Sequence, residues 1–455
     1  MGTSFNVILD RFVWNALGVV ALAAPVMIGS VHWPAKLAVT AVSMAILLAY
    51  TLLLFRRGYR MRFDGFVLLG VGVVAVMFLQ LVPLGESLLG TLSPSALAGV
   101  EKARALGFEV PTRLSLDPIA TAEMLMLAAC ALALYLVCFN ISYRDGSGNK
   151  LLTIVGLSGA LMAAIVFGHG FSKADAVLWM YTPDAVVADR GAFFSTFINN
   201  NHGAAFLSLT AFVLIGVWRK AQFGKSKGIY GLLVFLTLAG SVMMGSRGGI
   251  LALLASGGLL MVLSRWAGAQ RRVAPSVGQT FFGIALAAIC VAVYLLFFKA
   301  LTASTGDMNM FAGVDDELKV VAWQESLHTV QAFRTAGAGG GAFGAAFEPF
   351  NNFAAMVRFP HAENELIEPL VEFGLPLGIL FLVSAAVLLW RRFGFARGEA
   401  YYAEAFCGLF AVWMHSFVDF NIRVPGVLVP VAIVLGALSG AFARHPPTPR
   451  PGELP

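Results

Sequence analysis

The chain offers one apolar run after another of about twenty residues, and that length constrains its fold more than any motif does. A helix rises only ~1.5 Å per residue, so it needs roughly 20 mostly apolar residues to cross a hydrocarbon core in which no backbone polar group can stay unpaired. Twelve such spans are expected, at residues 12–30, 35–55, 64–84, 118–139, 151–169, 200–217, 229–245, 248–264, 277–299, 366–390, 402–417 and 424–443. Composition agrees, because 12% charged residues is half the roughly 25% of a soluble domain. The expected fold class is therefore all-α, a polytopic integral membrane helical bundle of about 12 transmembrane helices. Residues 1–63 form its first two helices, residues 64–443 its core and residues 444–455 a Pro-rich tail. The first run resembles a signal peptide, with a small-residue site at Ala21 to Ala23, but it is long for one and is read as a span.

Lys and Arg resist translocation and so orient the spans. With both termini cytoplasmic, 19 of the 31 basic residues fall in short inside segments and 12 in the longer outside ones. Acidic residues divide the other way, leaving +13 inside and −7 outside from a formal net charge of +6. The basic surplus is thus a topology signal, and no nucleic-acid partner is expected. Cys130, Cys138, Cys290 and Cys407 all lie in apolar spans, which implies packing rather than disulfides. Three outside segments are long enough to act, 85–117, 170–199 and 300–365, and the last should be functional or carry its own helices.

The polar residues worth chemistry gather at the outer ends of spans. GSRGG (residues 245–249) joins two apolar runs with almost no loop and puts Arg247 at the membrane boundary. Its glycines leave room for a large anionic group, and a guanidinium matches phosphate bidentately; a snorkelling arginine is the plain alternative. PHAENELIEPLVEFG (residues 360–374) sets Glu365, Glu368 and Glu372 on one helical face behind His361, whose ordinary pKa of about 6.5 suits a general base. Helix capping by those carboxylates is equally open. Arg190 precedes Asn199, Asn200, Asn201 and His202, groups suited to sugar hydroxyls or phosphates or to an ordinary cap. HSFVDFN (residues 415–421) spaces His415 and Asp419 one helical turn apart, followed by Arg423. The glycine run from Gly337 to Gly344 reads as a turn or hinge, and Gly224-Lys225-Ser226 lacks the earlier glycine of a P-loop. No metal-ligand spacing occurs, so neither a metal nor another cofactor is expected.

In their order along the chain, these motifs resemble the O-antigen ligase and polymerase superfamily. The resemblance rests on R-x-x-x-x-x-T-F-x-N-N-N from Arg190, S-R-G-G from Ser246, G-x-G-x-G-x-F from Gly337, H-x-E-N-x-x-I-x-x-x-x-E-x-G from His361 and H-S-x-x-D-F-N from His415. It extends from about residue 64 to 440 and takes in SLDP, Ser115 to Pro118. It implies a GT-C-like inner-membrane glycosyltransferase with residues 300–365 as a periplasmic loop. Such an enzyme moves a glycan from an undecaprenyl-pyrophosphate donor to an acceptor hydroxyl, on lipid A core or a growing glycan, at the periplasmic face among membrane lipids. Arg247 would contact the donor pyrophosphate and His361 the acceptor, in a metal-independent inverting transfer. Lys319 stands four residues before Trp323 where the family carries its second arginine; it can neutralise a phosphate as a point charge without the bidentate fork, and Arg190, Arg334 and Arg358 are the alternatives for that guanidinium. Asn201, Glu365 and Arg423 complete the expected substrate-binding set. A ligase and a polymerase of repeat units share this donor and these motifs. A transporter or flippase is the more distant alternative, disfavoured because its polar residues would sit near mid-membrane.

Overall fold

The computed structural model describes residues 2–182, 194–221, 224–270, 314–352, 359–396 and 400–444. Among them the regular structure is helical, and the only β pairing is an isolated bridge between Val177 and Tyr181. In chain order the helices are α1 (Gly2–Val26), α2 (Trp33–Arg56), α3 (Gly65–Leu81), α4 (Glu86–Leu92), α5 (Pro94–Ala105), α6 (Pro118–Asp145), α7 (Gly148–Ser172) and α8 (Asn200–Lys220). There follow α9 (Lys225–Met243), α10 (Arg247–Gln270), α11 (Val314–Ala332), α12 (Phe343–Phe347), α13 (Glu368–Ala396), α14 (Ala400–His415) and α15 (Pro425–Arg444).

Eleven of the twelve expected spans coincide with helices, and the span at 277–299, with Cys290, lies outside the described residues. Nine of the described helices are long and apolar enough to cross a membrane. The other two are shorter: α3 has 17 residues and α14 has 16. Local chemistry sets several boundaries. Asp64 caps α3 by accepting from the Val67 N–H at 3.2 Å. Asp117 caps α6 by accepting from Ile119 and Ala120, with Pro118 at the first helical position. Cys130, Cys138 and Cys407 are buried and free.

The bundle packs through small residues, as helices must when lipid gives no hydrophobic incentive to associate. Helix α15 lies along α6, where a Cβ on Gly436 would come within 2.7 Å of the Tyr135 carbonyl and one on Gly440 would overlap that of Phe139. The largest apolar core joins α1, α2, α6, α7, α8, α14 and α15. A second, smaller core, including Phe333, Phe343, Phe347, Ala362 and Val371, belongs to the long segment after α10. That segment thus carries the helices its length required, α11 and α12. Residues 85–117 fold as α4 and α5 over Leu89, Ala96 and Leu114, and Ser95 Oγ donates to the Ala332 carbonyl at 2.9 Å.

Opposite ends of the bundle gather different charges. At one end, the guanidinium of Arg392 in α13 binds Asp64 at 2.6 Å, and Arg219 of α8 pairs with Glu404 of α14. The other end is formed by the N-termini of α8, α10, α13 and α15 and the C-terminus of α14, and there the motifs converge.

Candidate functional site

The turn between α14 and α15 is the hub of this end. Helix α14 stops at His415, so His415 and Asp419 do not pair along one helix as their spacing suggested. Asp419 Oδ1 instead accepts from the Phe420 N–H at 2.7 Å and lies 3.1 Å from Nε2 of His202, in the first turn of α8. Burial pushes the Asp419 carboxyl up, but the His202 hydrogen bond and nearby positive charge prevail and hold it below the usual value. His415 Nε2 lies 3.3 Å from Ser246 Oγ, which also accepts from the Gly249 N–H at 3.0 Å and so caps α10. Gly248 permits this approach, because a Cβ there would stand 2.8 Å from Val418 and 3.0 Å from the His415 ring. Arg247, the first residue of α10, is exposed beside that contact.

His361 arrives from the segment before α13. Its ring stacks on Phe420 with centroids 4.1 Å apart, and the His202 ring meets Phe420 edge-on at 4.7 Å. Nδ1 of His361 is 2.8 Å from Oε1 of Glu368, and the other oxygen of that carboxylate accepts from the Ala362 N–H at 3.0 Å. Burial alone would lower the pKa of His361, but the charge and hydrogen bond of Glu368 more than offset it and hold it above the ordinary imidazole value. A carboxylate fixed by a backbone amide therefore orients the ring and raises its basicity.

Behind Glu368 lies a nest of charge. The Arg423 guanidinium bonds Glu365 through Nε at 2.9 Å and Glu372 through Nη1 at 2.8 Å, and Nη1 also lies 3.2 Å from Glu368. All four side chains are buried. Helix α13 begins at Glu368, so Glu365 sits in the preceding turn, where its N–H donates to the Ser416 carbonyl at 2.9 Å. Its burial pushes the Glu365 carboxyl above the usual range despite Arg423.

The glycine run anchors the nest from the far side. Ala338 N–H donates to the Val371 carbonyl, Gly339 to that of Glu372, and Gly341 to the Glu372 carboxylate at 2.7 Å. Gln80, buried at the end of α3, donates to the Glu372 carbonyl at 2.8 Å and accepts from Gly340 at 2.9 Å. Gly337 and Gly374 both have positive φ, and a Cβ on Gly337 would overlap the Glu372 carbonyl. These amides are spent on protein partners, so the run is a packed turn, as its glycine content suggested.

Lys319 and Trp323, one turn apart on α11, clamp the His361 segment. Lys319 Nζ is 3.0 Å from Glu363 and 3.3 Å from the Val418 carbonyl, and Trp323 Nε1 donates to the Ala362 carbonyl at 2.8 Å. Glu363 holds φ of 54°, a left-handed conformation that costs a non-glycine residue free energy and gathers at functional sites. Burial raises its carboxyl above the usual range, Asp419 adds to the rise, and Lys319 opposes it.

Of the residues expected from sequence, His361, Glu365, Arg423 and Lys319 meet around this turn, and Arg247 adjoins it through Gly248. Asn201 lies one residue before His202, with its N–H bonded to the Asn199 side chain at 2.8 Å. Arg334 is exposed just past α11, while Arg190 and Arg358 lie outside the described residues. The sequence reading did not single out Glu363, Gln80 or Phe420. A lone amide in the apolar run ending VMFLQLV was the available signal for Gln80.

Against known proteins, a family model described as O-antigen ligase matches residues 232–382, about a third of the chain. The match spans Arg247, Lys319, His361 and the three glutamates, and it supports the O-antigen ligase and polymerase superfamily. No curated protein matches.

Proposed function

Starting from the superfamily that this match supports, we propose that the chain is an inner-membrane glycosyltransferase that moves a glycan from undecaprenyl pyrophosphate to an acceptor hydroxyl. The observation that carries the reading is His361, fixed through Nδ1 on the buried Glu368, at the same end of the bundle as Arg247 and Lys319. His361 Nε2 takes the acceptor's proton. The freed oxygen pair attacks the anomeric carbon, and the bond to phosphate breaks with its electrons on the pyrophosphate. Arg247 and Lys319, with Arg190, stabilise that leaving charge, the kind of term that commonly dominates catalysis. A single displacement inverts the anomeric configuration. Asn201 lies close enough to this end to hold a sugar hydroxyl, while Glu365 and Arg423 act from the nest behind the base.

The opposite end, with Arg144, Arg219, Arg392 and Arg444, suits the cytoplasm by the excess of Lys and Arg there, which supports a periplasmic site with both termini inside. Residues 64–443 then form the catalytic core and residues 300–365 its periplasmic loop. Arg247→Ala should lower transfer at least about 10²-fold while leaving membrane insertion intact. Near-normal glycan product from that variant would remove the assignment. The acceptor is read from a deletion strain: naked core lipopolysaccharide marks a ligase, and loss of a polymer or single-repeat material marks a polymerase.

A further inference from the structure

The nest around Arg423 is larger than a structural ion pair needs to be. One guanidinium faces three buried carboxyl groups, those of Glu365, Glu368 and Glu372, so acidic groups outnumber the fixed cation out of contact with water. Removing charge from water is costly unless a partner compensates it. One further partner is in place: the His361 ring, 2.8 Å from Glu368 and able to become a cation.

We propose that the Arg423 nest is a positioning device for His361, whose surplus of carboxylates stabilises the imidazolium formed when the ring takes the acceptor's proton. The proposal rests on the transferase reading above. It makes Glu365 and Glu372 positioning residues that act on the base without touching the glycan. The proton leaves the acceptor oxygen for Nε2 and stays on the ring, Nδ1–H remains bonded to Glu368, and the new positive charge meets the Glu368 carboxylate and the acidic groups held beside it. Arg423 keeps the three carboxylates close enough to act together, and the Gly341 amide holds Glu372 in register.

The other charged groups around His361 do not supply the same effect. From its own segment, Glu363 is drawn to Lys319 of α11 at 3.0 Å. From the hub turn, Asp419 is paired with His202 of α8, and Phe420 stands between that pair and His361. The carboxylates facing the ring are those of α13 and the turn before it. The raised pKa of His361, to which Glu372 adds its charge, agrees with this arrangement.

The test reads the ring itself. Diethyl pyrocarbonate reacts with neutral imidazole, so the pH midpoint of His361 modification, followed by peptide mass spectrometry on the full chain in nanodiscs, reports its protonation. Glu372→Gln and Glu365→Gln keep shape and remove charge. Each should move the midpoint to lower pH by about one unit, a tenfold faster modification below the midpoint. A midpoint that stays put in well-folded variants overturns the proposal, since a merely structural role would change yield and leave the midpoint alone. If neither variant accumulates, the unmodified protein decides: a midpoint above about 6.5 supports the proposal and one at or below it overturns it. The transferase reading falls separately. If the unmodified protein transfers nothing from lipid-pyrophosphate donors while the midpoint still moves, that reading is lost and the hold of the nest on His361 stands.

Discussion

Two buried arginines, one at each end of the bundle, are held in contrasting ways. Arg392 faces one carboxylate, Asp64 at 2.6 Å, and also donates to Ser439 at 3.1 Å. Asp64 is further engaged by Tyr135 at 2.8 Å, and the rings of Phe66 and Phe442 lie 5.3 and 4.4 Å from the guanidinium. Charge there is balanced and enclosed by aromatic surface, and the contacts tie α3, α6, α13 and α15 together. Arg423 has three carboxylates and an imidazole one bond further on. The balanced pair holds helices. The unbalanced one holds a titratable ring, and the surplus of acidic groups is what sets it apart from a staple.

That contrast can be broken by mutation, and the largest effect belongs to Arg423→Ala. It strands three buried carboxylates and should cost at least about 3–5 kcal/mol, read as loss of folded protein by thermal inactivation and gel filtration. Arg392→Ala strands one and should cost no more than that range, so a greater loss than for Arg423→Ala would sink the comparison. Neutralising both partners is the sharper experiment, because a buried pair exchanged for neutral groups of similar shape is often nearly neutral in stability. Arg392→Met with Asp64→Asn, which keeps the cap on α3, should cost less than about 2 kcal/mol and leave transfer intact. Arg423→Met with all three glutamates changed to glutamine should fold comparably and yet lower transfer about 10²-fold, the scale of a disabled general base. Full transfer from that variant would make the nest a second staple.

Acidity gives a smaller, graded readout. The base must be neutral to take a proton, so transfer should fall as pH drops through the raised His361 pKa and level off above it. A flat profile through the slightly acidic range would argue against His361 as the base. Smallest of all, Arg104→Ala removes an ion pair with Glu86 whose side chains are 42% and 62% exposed, and nothing measurable should follow in either stability or transfer.

Much of the bundle was legible because its spans obey one length rule, and the rule weakens where a helix shortens, as in α3 and α14. Membership of the site was legible where residues are near in sequence, as with His361, Glu365 and Glu368. Partnerships across the chain were not. Arg423 was expected at a substrate, yet its guanidinium lies among glutamates more than fifty residues earlier, and no periodicity links segments that far apart. Asp419 left its neighbour His415 for His202 because α14 ends before a second turn could align them. Glu363 carried no sign of its backbone conformation, which is set by the clamp from α11.

Helix α13 is interrupted at Gly374, six residues past its start, and there it meets the glycine turn backbone to backbone. Both sides of the interruption are fastened to that turn, and a Cβ on Gly374 would come within 2.7 Å of the Thr335 carbonyl. The short piece bearing Glu368 and Glu372 is pinned to the turn by its Val371 and Glu372 carbonyls, and the stretch beyond the break by Leu375, whose N–H donates to the Arg334 carbonyl. The glycine turn is therefore a splint for the broken start of α13: Gly337→Ala, whose Cβ would overlap the Glu372 carbonyl, should lower the yield of folded protein without touching any charged group of the cluster.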